Sequence, residues 1–326
     1  MRIDRRLLGW GTFFIVVGAI PVAVRGGYLD AAVVEGWARL WPLLLIGWGL
    51  GLLLRRTPVD WLGGAVTTLT LGVMGGGLIA TGWSGLPMTA GCGDDSGAPF
   101  AVQRGTLTSN GALSVELPCG RLTLDAVDGT DWAVQGSSED GTAPGVETDG
   151  NVVLISGPEG FDVGFIGART TWAVNLPRDP ENVGLDVTVN AGEGSLALAG
   201  ARLSSLNLTL NAGELTADAG GAVTLERING TINAGSGFVS LPALSVDVNF
   251  TVNAGSLELC VPADVGVRVE SSSTLASNNL DSLGLEKVGE EAWQTSGYGS
   301  AATRIDVNVT ANAGSFELTI GGGCGA

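Results

Sequence analysis

Two patterns of apolar residues divide the chain. Up to residue 83 they come in long runs, and beyond residue 185 they alternate with polar ones. The runs are LLGWGTFFIVVGAIPVAV (7–24), WARLWPLLLIGWGLGLLL (37–54) and the stretch from Trp61 to Trp83. Each holds 18 or more residues, the length a helix needs to cross a hydrocarbon layer about 30 Å thick. They predict an N-terminal three-helix transmembrane anchor over residues 1–83. A cytoplasmic N-terminus puts Arg2, Arg5, Arg6, Arg55 and Arg56 inside against Arg25 and Arg39 outside. That orientation makes the chain a multi-pass protein of the cell membrane, with everything after Trp83 on the outer side. Gly47 with Gly51, and Gly72 with Gly76, are spaced for close helix packing. Membrane helices are also glycine-rich for no special reason.

The second pattern is a repeat. LDVTVNAG (185–192), LNLTLNAG (206–213), INGTINAG (228–235), VNFTVNAG (248–255) and VNVTANAG (307–314) recur, and VELPCGRLTL (115–124) is a degenerate earlier copy. The triplet Asn falls at 190, 211, 233, 253 and 312, giving steps of 21, 22 and 20 residues and then 59, close to three turns more. A period near 20 with strand-like content predicts an all-β domain, a single-stranded β-solenoid of coils about 20–22 residues long. Period-two alternation gives each strand one buried and one wet face. Alternation changes parity across each triplet, so the chain turns there; Asn and Gly tolerate positive φ. The predicted corners are therefore Asn190 and Gly192, Asn211 and Gly213, Asn233 and Gly235, Asn253 and Gly255, and Asn312 and Gly314. Stacked corners let the Asn side chains run as a ladder. About ten turns at about 4.8 Å each predict a rod on the order of 50 Å long. Residues 84–100 read as a linker, 101–326 as the solenoid, and 271–300 as a polar insertion with little periodicity.

Composition narrows the chemistry. There is no histidine, which removes the commonest general base and metal ligand. The net charge is −17, against what a nucleic-acid partner needs. The few basic residues beyond residue 100 are scattered, without the basic-and-acidic cluster that a polysaccharide-lyase solenoid requires. The chain reads as non-enzymatic and free of cofactor or metal. Cys92, Cys119, Cys260 and Cys324 are candidate disulfide cysteines, with three possible pairings. Thr89 to Cys92 is a poor match to a lipidation signal. Thr188, Thr209, Thr231, Thr251 and Thr310 fall on one predicted face. That face is either a binding surface for glycan or peptide, or Thr simply suited to exposed strand. The acidic surface also suits a cationic peptide.

The Arg-rich start and LWPLLLIGWGLGLLL (40–54) resemble the transmembrane region of bacterial LiaF-like envelope-stress proteins. The Asn-Ala-Gly corners, LELCVPADVGVRVE (257–270) and WQTSGYGSAATRIDVNVTANAGSFEL (293–318) resemble the adhesin-type, or toastrack, β-solenoid that follows such anchors. The resemblance implies a sensor or regulator of cell-envelope stress acting through partner membrane proteins, such as a sensor kinase. Three spans instead of four would keep the solenoid away from a cytoplasmic kinase domain. The resemblance brings no catalytic residues. A surface adhesin binding through the Thr/Asn face is the other reading.

Overall fold

An inward residue at every second position and a turn every half-coil leave each strand only one way to complete its hydrogen bonds: on the coil before and the coil after. The computed structural model describes residues 13–15, 17–20, 41–54, 61–81, 97–157 and 170–321. These fall in two units that divide between Gly91 and Cys92.

The first unit contains α1 (Trp41–Leu53) and α2 (Trp61–Thr81). Among the described residues no helix is long and apolar enough to cross a membrane. This overturns the three-helix anchor and, with it, the multi-pass membrane placement. The physical reasons differ for the two helices. α1 has 13 residues, which at 1.5 Å per residue span only about 20 Å. α2 has 21 residues, but glycine and threonine break up its apolar surface. Of the first expected span, only 13–15 and 17–20 are described, and they are helical. Gly47 and Gly51 do pack closely, against α2. A Cβ on Gly63 would sit 2.3 Å from the Gly51 nitrogen and 2.7 Å from the Gly47 carbonyl oxygen.

The second unit is all β. Its strands are β1 (Ala98–Pro99), β2 (Gln103–Thr106), β3 (Ala112–Leu117), β4 (Gly120–Val127), β5 (Asp131–Ser138), β6 (Gly145–Asp149), β7 (Val152–Ser156), β8 (Thr170–Pro177) and β9 (Val183–Val189). They continue as β10 (Gly192–Ala197), β11 (Leu203–Leu210), β12 (Gly213–Asp218), β13 (Arg227–Ser240), β14 (Val246–Val261), β15 (Gly266–Asn278), β16 (Glu286–Lys287), β17 (Ala292–Gln294) and β18 (Arg304–Ile320). One parallel face runs β7-β3-β9-β11-β13-β14-β18-β15. The other runs β8-β4-β10-β12 and then through the second halves of the same four long strands. Each coil thus contributes one strand, or half-strand, to each face, with the corner between them. This is a β-solenoid eight levels deep, roughly 34 Å at the usual strand spacing, shorter than the rod expected from length alone.

The chain does not stack strictly in sequence order. Between β9 and β14 it does. At both ends it doubles back: β3 and β4 lie inside β7 and β8, and β18 lies inside β15. The 59-residue step from Asn253 to Asn312 is therefore one level, not three turns. β15 and a short irregular segment, with β16 and β17, form the excursion. Where β15 leaves the ladder, the Asn279 side chain replaces a strand residue: its Nδ2 donates to the Leu318 carbonyl at 3.0 Å, and its Oδ1 accepts from the Leu318 amide at 3.0 Å. β1 occupies the end of the stretch read as linker and pairs antiparallel with β5.

The core is a file of alternate residues from both faces. Leu122, Leu215, Leu257 and Phe316, each at the same offset after a corner, are all buried. The β13 coil has glycine at an inward position on each of its two faces, and a neighbour fills the space. A Cβ on Gly230 would lie 1.9 Å from the Phe250 ring, and one on Gly237 would lie 2.5 Å from the Ile232 Cδ1. Large and small thus alternate between adjacent coils at close-packed density.

The corners are held by glycine. Gly120, Gly192, Gly213, Gly235, Gly255 and Gly314 all have φ between 121° and 147°. A Cβ on any of the last five would lie 1.8–2.0 Å from the carbonyl oxygen of the glycine one level below. The corner Asn residues keep negative φ; among described non-glycine residues only Asn110 and Asn182 are positive. So the turn belongs to Gly alone. Gly235→Ala is expected to lower unfolding free energy by about 3 kcal/mol, combining a forbidden φ with a backbone clash. Urea denaturation would measure it, and a change within about 0.5 kcal/mol, the size of an ordinary surface substitution, would contradict this account of the corner.

Candidate binding face

Every level between β9 and β18 shows solvent the same outward set from one strand: a polar residue, then Thr two positions on, then the corner Asn two further. The sets are Asp186-Thr188-Asn190, Asn207-Thr209-Asn211, Asn229-Thr231-Asn233, Asn249-Thr251-Asn253 and Asn308-Thr310-Asn312. Cα register places like residues side by side, with Thr188, Thr209, Thr231, Thr251 and Thr310 in one column. Ser272 of β15 extends that column by one level, its Oγ 3.4 Å from the Thr310 Oγ1.

Two ladders flank the column. Along the corner ladder each Nδ2 donates to the Oδ1 one level below: Asn211 to Asn190 at 2.6 Å, Asn233 to Asn211 at 2.6 Å, Asn253 to Asn233 at 2.7 Å and Asn312 to Asn253 at 2.8 Å. Asn190 ends the row by donating to the Glu116 carboxylate at 3.1 Å. The outer ladder runs Asn308, Asn249, Asn229, Asn207 at 3.2, 3.4 and 2.8 Å and ends on the Asp186 carboxylate. All the amides point the same way. A carboxylate closes each row at its donor end, where negative charge is stabilised. The carboxylates also fix which way each amide is turned, since neither can donate.

The sequence marks the corner ladder through its triplet. The outer ladder is less obvious, because Asn207, Asn229, Asn249 and Asn308 read first as incidental sequons. The signal that finds it is the recurrence of Asn four residues before each corner Asn, which on a strand is the same face. Of the carboxylate terminators, Asp186 stands at the same repeat position as those Asn residues, whereas Glu116 carries no sequence signature, because it comes from a coil over seventy residues earlier.

Between the outer ladder and the Thr column lies a shallow groove of about 360 Å³, running from Asn207 and Thr209 to Asn308 and Thr310. The Thr188, Thr209, Thr231 and Thr251 hydroxyls make no hydrogen bond among the described residues, so each retains a donor and acceptor for a ligand. Each ladder Asn uses one of its two N–H groups and keeps the other. The groove rim holds no charged side chain and no cluster of metal-ligating residues occurs among the described ones. Charge lies elsewhere: on the second face Arg121 pairs with Glu193 at 3.0 Å. Cys119 and Cys260 are both buried, away from this groove; Cys92 and Cys324 lie outside the described residues.

Residues 106–242 match the family model described as the N-terminal domain of toast_rack, DUF2154. This stretch is similar to the toastrack family over under half of the chain. The match takes in the face from Asp186 to Asn233 and none of the helical N-terminus, so the LiaF-like identity has no match behind it. Among solved structures, a "putative cell adhesion protein" from Clostridium sporogenes is 20% identical, covering 68% of this chain and 100% of its own, with a TM-score of 0.46. A "putative adhesin" from Bacteroides fragilis is 10% identical, covering 69% and 98%, with a TM-score of 0.36. No protein of curated function is a significant match.

Within residues 106–242 the two kinds of face residue should behave differently on substitution. Asn211→Ala breaks a ladder on both sides and should cost about 1–3 kcal/mol of stability. Thr209→Val keeps the β-branched shape and removes only a solvated hydroxyl, so its effect should stay within about 0.5 kcal/mol. Thermal unfolding of both variants checks the contrast; equal losses would show that the Thr column is structural.

Proposed function

We propose that the chain is a non-catalytic, adhesin-type binding module whose Thr/Asn face takes a neutral, hydroxyl-rich polymer such as an envelope glycan. The toastrack match supports the coarser reading, a non-enzymatic surface or envelope-binding module. The observation that carries the finer one is repetition: the same free hydroxyl and spare amide N–H recur at Thr209, Thr231 and Thr251 on three successive coils along the groove. A small ligand would need one such set, whereas a polymer engages many at once. Each hydrogen bond contributes only about 0.5–1.5 kcal/mol net, so useful affinity requires several sites acting together. The groove rim is uncharged, and the chain at −17 repels polyanions, which favours a neutral partner. A cationic peptide would be drawn to the acids elsewhere and not to this face. Envelope-stress sensing rests on the sequence resemblance alone, and nothing in the geometry adds to it.

Co-sedimentation of the full chain with insoluble cellulose, chitin and peptidoglycan tests the proposal. The chain should pellet with at least one of them. Combining Thr209→Val, Thr231→Val and Thr251→Val should weaken that retention at least tenfold while leaving the circular dichroism unchanged. Failure to bind any of the three, or undiminished binding by the triple variant, overturns it.

A further inference from the structure

The two ends of the solenoid are finished differently. At the β7/β8 end the parallel faces are closed by antiparallel strands: β6 pairs with β7, β5 pairs with β8, and β2 and β1 pair with β5. The strands left outermost carry charge, Glu147 and Asp149 on β6 and Arg104 on β2, a usual protection against edge pairing. At the other end β15 is the last strand. β17 covers only Arg268–Glu270, and the Ser271 amide donates to the Glu291 carbonyl. From Ser272 to Asn278 β15 pairs with β18 on its inner side, and no described strand pairs with its outer side.

That open edge reads SSTLASN. It holds no charged residue, no proline and no lysine, in a chain whose net charge is −17. Leu275, at its midpoint, is 81% exposed. We infer that this edge is a dimer interface in which two copies of the chain pair antiparallel, tail to tail, across a two-fold axis at Leu275. The sequence is self-complementary about that residue: Ser272 meets Asn278, Ser273 meets Ser277, Thr274 meets Ala276, and Leu275 meets its own copy. Every pair is small or able to hydrogen-bond, apart from the one apolar contact. A second copy fits because the segment 272–278 that would pair with itself carries no charge to oppose its own copy. The charged strands at the far end stop the pairing from extending into a filament, giving a closed two-fold assembly.

The test uses the full chain. Size-exclusion chromatography with light scattering should give twice the 33.0 kDa of a single chain, and Leu275→Lys should return it to the single-chain mass. Leu275 is exposed, so this variant keeps the fold, which circular dichroism verifies. A photo-crosslinking amino acid in place of Ser277 should trap a covalent dimer, and one in place of Asn151, at the opposite end, should not. A single-chain mass for the wild type, a dimer that survives Leu275→Lys, or crosslinking through position 151 would each overturn the inference. A single-chain mass would leave the edge to a foreign strand.

Discussion

The close approach of one glycine to the next sets everything else in the β domain. At each corner a carbonyl oxygen stands where a side chain would begin, under 2 Å or so from the ideal Cβ position of the glycine above. Only a residue without Cβ can be there, and only one free to take φ above 120° can make the turn. Once Gly120, Gly192, Gly213, Gly235, Gly255 and Gly314 are stacked, the coils are in register and cannot slip by one residue. A slip would turn the alternating apolar set outward. The same register brings Thr over Thr and Asn over Asn, so the Thr/Asn face is a by-product of the corner.

Much of this was legible because it is local and repeated. Alternation identified the inward residues, and the Asn-Ala-Gly triplets located the corners. What the sequence could not convey was spatial order. Asn253 and Asn312 are 59 residues apart yet adjacent, because β15 was laid down one level further out and β18 fits between it and β14. Spacing measures length of chain, and a doubling back leaves no trace in it. The polar stretch after residue 271 hid the edge strand for a related reason. β15 has Ser at inward positions where β18 has Val309 and Ala311, so its alternation vanishes at the end of the core.

The helices show the opposite failure, a pattern read too readily. Long apolar runs at 37–54 and 61–83 suggested spans, yet the apolar character of α2 is diluted by glycine and threonine. Those glycines have a use inside the first unit. Gly63 lies against Gly47 and Gly51 so closely that no side chain fits, and the Thr67 and Thr70 hydroxyls donate to carbonyls four residues back. Small residues that look like membrane-helix packing also serve a helix pair that simply needs to touch.

The ladders give the Thr/Asn face a direction. In both rows every amide donates toward the earlier coils, each but the last accepts from the next coil, and the rows end on Glu116 and Asp186. Reversing one row would leave a carboxylate facing carbonyl oxygens with no proton between them, so the two rows are locked in the same sense. The groove between the outer row and the Thr column is therefore not symmetric along its length. Donors of one row and hydroxyls of the column stand in a fixed order at each coil, and that order is the same from Asn207 to Asn308. A polymer of the proposed kind with distinct ends would match it in one orientation and mismatch it in the other, although the groove itself is lined by no charged side chain. Directionality here comes from two carboxylates at the edge of the array, propagated through neutral side chains by hydrogen bonds alone.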